Sequence, residues 1–351
     1  MDKILSEHRK QIGDFEVIDF EDEAIVQGMR SRVDVDVPVD LHWTWSYESE
    51  IHELRRLYEK GKRGQWNAQT DLDWDIPVDR NEWMMTPEMS LMANVVALHG
   101  GSEAAQKEAT HDEIAYTLSQ LLHGEQAALQ LCGQLTNVCT EIDQKFYAAS
   151  QVIDEARHAE VLSKYLGEKV GEIHPIGGDL KTLLEILLQA QGMQKKVLGM
   201  QTLFEGMAVG IMDTIRRESR NALLSTMLHR VEQDESRHAA FGVLNMRRIV
   251  KQVSRDEMEE MEDWAFSILE TLNANQQLEM LRRFADKYGY DPEGVVAAAT
   301  KLPNFAELNS PIYMHTVVPN LRNLGLITER TEDHWKRVGM IYDASEAAVA
   351  S

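Results

Sequence analysis

The residues of this 351-residue chain best suited to chemistry form a repeated pentad. Asp154-Glu155-Ala156-Arg157-His158 and Asp234-Glu235-Ser236-Arg237-His238 both read D-E-x-R-H, 80 positions apart. On a helix, a glutamate and a histidine three positions apart share one face, so both side chains can reach a single point in space. One E-x-x-H is weak evidence in a sequence with 58 acidic residues and 12 histidines, whereas two copies of the whole pentad are specific. Glu125 lies 30 positions before Glu155, and Glu205 lies 30 before Glu235, so the same offset relates three pairs of residues.

For antiparallel helices to bring such pairs level, each turn must fall halfway between them. Those midpoints are residue 140, at Thr140, and residue 220, inside the polar run Glu218-Ser219-Arg220-Asn221. Both upstream glutamates sit on apolar stripes: Leu118, Leu121, Leu122, Ala128, Leu129 and Cys132 surround Glu125, and Leu198, Ala208, Val209 and Met212 surround Glu205. Carboxylates on such stripes point into a core, where unpaired charge is costly. Four glutamates and two histidines converging inside a bundle are relieved most simply by two cations. Oxygen-rich ligation with one imidazole per ion and no thiolate suits iron or manganese better than zinc or copper. The expected ligands are Glu125, Glu155, His158, Glu205, Glu235 and His238. A ligand imidazole donates its other N–H to a carboxylate, so Asp154 is expected to serve His238 and Asp234 to serve His158, with Arg157 and Arg237 holding the aspartates. Gln201 and Thr202, polar on an apolar face one turn before Glu205, are expected to hydrogen-bond around the ligands.

The elements that must position these groups are helical. Proline is sparse between about 103 and 285, and apolar residues there recur at helical spacing, predicting helices near 104–138, 141–167, 180–217, 221–252 and 255–286. Thr140 with Asp143, and Ser254 with Glu257, fit the N-cap and N3 pattern of helix starts. Before residue 90 the pattern gives an extended run at Val33–Val39, a helix near 49–62 and a Trp- and Asp-rich loop at 65–77. Beyond 290, helices are expected near 292–301 and 330–340, with a frayed tail from Ala344. The fold class expected is all-α: a four-helix bundle with a di-metal core in residues 91–253, an N-terminal wrapping region in 1–90 and a C-terminal helical extension in 254–351.

Composition narrows the function. A net charge of −22 disfavours nucleic acid and anionic membrane as partners, and no apolar run is long enough to span a bilayer. With no apolar signal segment at residues 1–7, a cytoplasmic protein is expected. Two cysteines, Cys132 and Cys139, are too few for a disulfide scaffold and read as small buried hydrophobes. Glycines 206 and 210, directly after Glu205, leave room for O2 or substrate or for close helix packing. Met193, Met200, Met207 and Met212 suit either an adaptable pocket or plain core. His111, His123 and His229 lack the ligand spacing. Trp66, Trp74 and Trp83 either pack over the bundle or relay electrons. The densest basic run, Arg55 to Arg63, reads as a solvated helix end or a landing place for an anionic substrate, an acyl carrier or an electron-donor protein.

The paired pentads with their upstream glutamates resemble the ferritin-like di-iron oxidases and oxygenases. That superfamily includes the ribonucleotide reductase small subunit, multicomponent monooxygenases, acyl-carrier-protein desaturases and aryl-amine N-oxygenases. The resemblance covers about 105–250 and implies a four-helix site holding two iron ions, or a manganese–iron pair, with O2 as co-substrate. It carries the ligand role onto Glu125, Glu155, His158, Glu205, Glu235 and His238. Leu162 stands where the reductase subunit has its radical tyrosine, although Tyr165 follows. Ala208 and Val209 stand where desaturases and monooxygenases place a threonine. Val231 stands where the aryl-amine N-oxygenases add a seventh ligand, a histidine four residues before the last glutamate. Met200 stands where ligand-binding oxidases have a crosslinked tyrosine. The expected activity is therefore an O2-activating di-iron oxygenase or oxidase without an assigned member. It would hydroxylate, N-oxygenate or desaturate a small organic substrate with electrons from an external donor protein or reductase, and act as a homodimer. The alternative is a ferroxidase or peroxide-scavenging iron protein with no organic substrate.

Overall fold

The computed structural model describes residues 37, 40–273, 276–302, 316–337 and 340–341, all within one compact unit. The extended run expected at Val33–Val39 and the tail from Ala344 lie outside the described residues, apart from Val37. Among the described residues the fold is helical and no strand forms, with one isolated bridge between Met85 and Ser219. No helix there is long and apolar enough to cross a membrane.

The first helix, α1, spans His52–Arg63, followed by the loop through Trp74 and the short α2, Leu91–Leu98. The bundle is built from α3 (Glu103–Val138), α4 (Ile142–Tyr165), α7 (Glu205–Glu218) and α8 (Ala222–Ile249), with α5 (Gly178–Gln189) and α6 (Gly192–Lys196) between its halves. Beyond it come α9 (Arg255–Asn273), α10 (Gln276–Ala285), α11 (Pro292–Ala299), α12 (Val318–Leu324) and α13 (Glu332–Arg337). Helix α3 pairs with α4, α7 pairs with α8, and α4 meets α8. Helix α1 lies across α4 and α8, which carry the two pentads.

The turns fall where level pairing requires them. Helix α3 ends at Val138 and α4 begins at Ile142, capped by Glu141 and Gln144 in a reciprocal box rather than by Thr140. Asp143 turns outward from the cap and accepts from the backbone of Glu50 and Ile51 and from Arg55, anchoring α1. Asn221 caps α8 by accepting from the Leu224 amide. Ser254 and Glu257 form the expected reciprocal pair before α9.

The helix expected at 180–217 is not continuous. It breaks after Gln189, where Gly192 takes a φ of 75° that disfavours side chains, and its next stretch, Val197–Phe204, is wound as a π-helix. The extra residue of a π turn re-aims the side chains that follow, and such turns gather at functional sites. Two features hold this segment. Buried Lys196 donates to the Leu188 carbonyl and to Gln134, and burial lowers its pKa to about 8. Gly242, one turn past His238, lets the backbone at Gln201 approach so closely that a Cβ would sit 2.7 Å from the Gln201 carbonyl oxygen.

Candidate metal centre

All six expected ligand side chains converge in the bundle: Glu125 from α3, Glu155 and His158 from α4, Glu205 from α7, and Glu235 and His238 from α8. Glu155, His158, Glu235 and His238 are fully excluded from solvent. Nδ1 of His158 lies 3.3 Å from Glu125 Oε2, 3.4 Å from Glu155 Oε2 and 2.9 Å from Glu235 Oε1. Nδ1 of His238 lies 3.3 Å from Glu155 Oε1, 2.9 Å from Glu235 Oε2 and 3.9 Å from Glu205 Oε1. Glu155 and Glu235 thus offer one oxygen to each side, while Glu125 and Glu205 each serve one side only.

The far faces of the imidazoles are held crosswise. Asp234 lies 3.1 Å from Nε2 of His158, and Asp154 lies 3.3 Å from Nε2 of His238. Arg157 donates to Asp154 at 2.5 Å and to Asp234 at 2.8 Å, and Arg237 pairs with Asp234 and reaches within 3.6 Å of Asp154. Burial works against the charge on Asp234, but His158 and Arg157 outweigh it and hold the carboxyl well below its usual range.

A carboxylate accepts hydrogen bonds and cannot donate them, so each Nε2 carries the hydrogen and each Nδ1 of a neutral ring presents a lone pair to carboxylate oxygens. Acceptors facing acceptors in a dry core require protons or cations between them. Without metal, protons take that place. Burial opposes charge on both rings, yet the surrounding carboxylates raise His158 well above its ordinary value and His238 to about 10. Burial, then the Glu235 charge, pushes Glu125 up to about 8, and burial with Glu235 and Glu155 raises Glu205 well above its ordinary value. Glu155 Oε2 and Glu235 Oε1 are buried with no hydrogen-bond donor. This donor set fits two hard, imidazole-accepting cations.

Four contributors were not singled out as site residues from sequence. Gln151, one turn before Glu155, donates to Glu155 Oε1 at 2.7 Å and to Glu205 Oε1 at 2.9 Å. The Cys132 thiol, two turns past Glu125, points at Glu155 Oε1 from 3.8 Å and accepts from Gln201 at 3.7 Å. Helical spacing could have found Gln151 on the Glu155 face; it did place Cys132 on the Glu125 face, where the residue was read as a small buried hydrophobe. Gln65 donates to Asp154 at 2.7 Å, and the Trp66 indole donates to Asp234 at 2.8 Å. They sit on the loop after α1, where no periodicity marks them. Gln201 touches Cys132 rather than a ligand, and the Thr202 hydroxyl is buried with no hydrogen-bond partner.

The remaining candidates fall outside the centre. A Cβ on Gly206 would meet Val317 at 3.1 Å, so that glycine serves close packing of the chain before α12. Met200, Met207 and Met212 are core residues. His111, His123 and His229 bond the Glu82 carbonyl, the His174 carbonyl and Gln233.

Residues 48–325 match the family described as P-aminobenzoate N-oxygenase AurF. The chain belongs to that family. It is accordingly a non-haem di-iron oxidoreductase of the ferritin-like class that activates O2 to act on an organic substrate. The matched span includes Val231, the residue that departs from the seventh-ligand histidine of the aryl-amine N-oxygenases. No curated protein matches in sequence. The fold is similar to that of the Streptococcus sanguinis dimanganese(II)-NrdF (14% identity, 84% of this chain and 100% of that one, TM-score 0.51). An R2-like ligand-binding oxidase matches with a TM-score of 0.45 and 17% identity over 79% of this chain and 94% of its own.

Proposed function

We propose that this AurF-family protein N-oxygenates a small aromatic amine at two iron ions held by Glu125, Glu155, His158, Glu205, Glu235 and His238. The observation that carries the reading is the shared position of Glu155 and Glu235. Each turns one oxygen to either histidine, so both carboxylates would be available to an ion on either side. Bound iron supplies the redox capacity to reduce O2 by steps that organic side chains cannot perform. The chain's own groups do the rest. Asp154 and Asp234 fix the imidazole tautomers, the four glutamates offset the metal charge, and the surrounding leucines exclude water. The overall balance is one O2, two electrons and two protons per amine, giving a hydroxylamine and water. The electrons come from an external donor protein. We place the enzyme in the cytoplasm as a homodimer; its two cysteines, buried and unpaired, suit a reducing compartment.

The test is O2 uptake by iron-loaded protein with a chemical reductant across a panel of para-substituted anilines, with products analysed by mass after ¹⁸O2 labelling. Amine-dependent uptake with one labelled oxygen in the product is expected. Turnover on Fe(II) or peroxide alone, indifferent to every amine, would replace this reading with the ferroxidase or peroxidase alternative.

A further inference from the structure

Helix α1 separates solvent from the two pentad helices, and its two faces differ sharply. Leu54, Leu57 and Gly61 are buried, and Gly61 sits against Ser150 of α4. Arg56, Lys60 and Arg63 are exposed at i, i+4 and i+7, one stripe of the helix surface, and none has an ion-pair partner among the described residues. Lys62 is also exposed, and its ion pair among the described residues is with Glu59 on the same helix, beside a 4.5 Å contact with the Tyr58 ring. Favourable interaction with the helix dipole accounts for cations in the last turn, but Arg56 lies a turn and more before it.

What lies beneath this stripe gives it a use. The chain leaves α1 at Gly64, where a Cβ would stand 3.0 Å from Arg237. The next two residues are Gln65, exposed on its outer side yet bonded to Asp154, and Trp66, bonded to Asp234. Those aspartates hold His238 and His158. From the end of the cationic stripe to either ligand imidazole, only two side chains intervene.

We infer that the Arg56–Lys60–Arg63 stripe is the docking surface for an acidic, one-electron-carrying iron–sulfur protein. This rests on the oxygenase reading and names the face that its donor uses. The chain carries −22 overall and would repel an acidic partner at most approaches. At physiological salt, charges beyond about 8 Å are screened, so a local cationic stripe decides where such a partner settles. The donor's iron–sulfur cluster is oxidised by one electron per encounter, and two encounters supply the electrons for one O2. The stripe therefore sets donor affinity and leaves iron binding untouched.

Calorimetry of the full-length protein against an oxidised, acidic plant-type [2Fe–2S] ferredoxin at physiological ionic strength tests this without turnover. One-to-one binding is expected, weakened at least about tenfold by the combined Arg56→Glu, Lys60→Glu and Arg63→Glu changes. Arg56→Lys with Arg63→Lys should retain it, as should Arg255→Glu on α9, where the side chain is 89% exposed. Iron content and reduction by dithionite should match wild type in every variant. Absence of wild-type binding, equal affinity in the triple variant, or equal loss with Arg255→Glu would overturn the assignment. So would a triple variant that raises KM for the amine while leaving donor affinity unchanged. If wild-type protein fails to bind an iron pair, it is the oxygenase reading that falls, and the ferredoxin titration still reports on the stripe.

Discussion

Glu125 and Glu205 hold equivalent places 80 residues apart, each facing one histidine, yet their surroundings diverge. Glu125 sits on an unbroken 36-residue helix beside Leu121 and Leu122. The equivalents of those leucines are Gln201 and Thr202, on the π-helical stretch that delivers Glu205. Gln151 donates to Glu155 and Glu205, and its equivalent beside Glu235 is Val231. Gly124 and Phe204 are also equivalent positions, and they touch: a Cβ at 124 would lie 2.7 Å from the Phe204 ring. The charged groups are arranged near-symmetrically, while the neutral groups gather on the Glu205 side. The two ions should therefore be held alike in number of ligands and unlike in environment.

The sharpest way to break this comparison is to remove carboxylates by class. Glu155→Ala or Glu235→Ala should abolish binding of both irons, because each serves both sides. Glu125→Ala should spare the Glu205 side and leave about one iron per chain, measured by elemental analysis. Next in size, Gln151→Leu should weaken iron binding on the Glu205 side about 10- to 100-fold, the usual cost of losing a hydrogen bond to a ligand. Val231→Leu, at the equivalent place, should change affinity little.

A pH effect follows. In the metal-free protein Glu125 is raised from 4.5 to about 8 and His238 from 6.5 to about 10. Both groups bind protons more tightly folded than unfolded. The stability they confer is complete below the ordinary values and is lost as pH rises through the raised ones. The thermal midpoint of metal-free protein should fall over that window, while iron affinity, which must displace those protons, should rise. The smallest effect expected is Gly124→Ala, an overpacking cost of about 1–3 kcal/mol in denaturant unfolding, relieved when Phe204→Leu is added.

The convergence of the six side chains was legible because their placement is written in spacing. The E-x-x-H pairs, the offset between halves and the midpoints at 140 and 220 are properties of straight, antiparallel helices. Asp154 and Asp234 could be assigned to opposite histidines because each immediately precedes a glutamate in a near-symmetric bundle. The break at Gly192 and the π turn at Val197–Phe204 were not legible, since apolar spacing continues across both and the winding depends on tertiary contacts at Lys196 and Gly242. Gln65, and the bond to Asp234 of a Trp66 read only for packing or electron relay, escaped for a related reason: a loop has no period, and the partners lie 89 and 168 positions away. The family match adds what spacing could not: Val231 pointed away from the aryl-amine N-oxygenases, whereas residues 48–325 match the family described as P-aminobenzoate N-oxygenase AurF.

Mössbauer spectroscopy of protein loaded anaerobically with ⁵⁷Fe(II) and then exposed to O2 tests the central claim most directly. Two high-spin ferrous ions per chain with distinguishable quadrupole doublets are predicted, converting together to a spin-coupled diferric pair. A single iron per chain, or two that oxidise independently without magnetic coupling, would contradict the account.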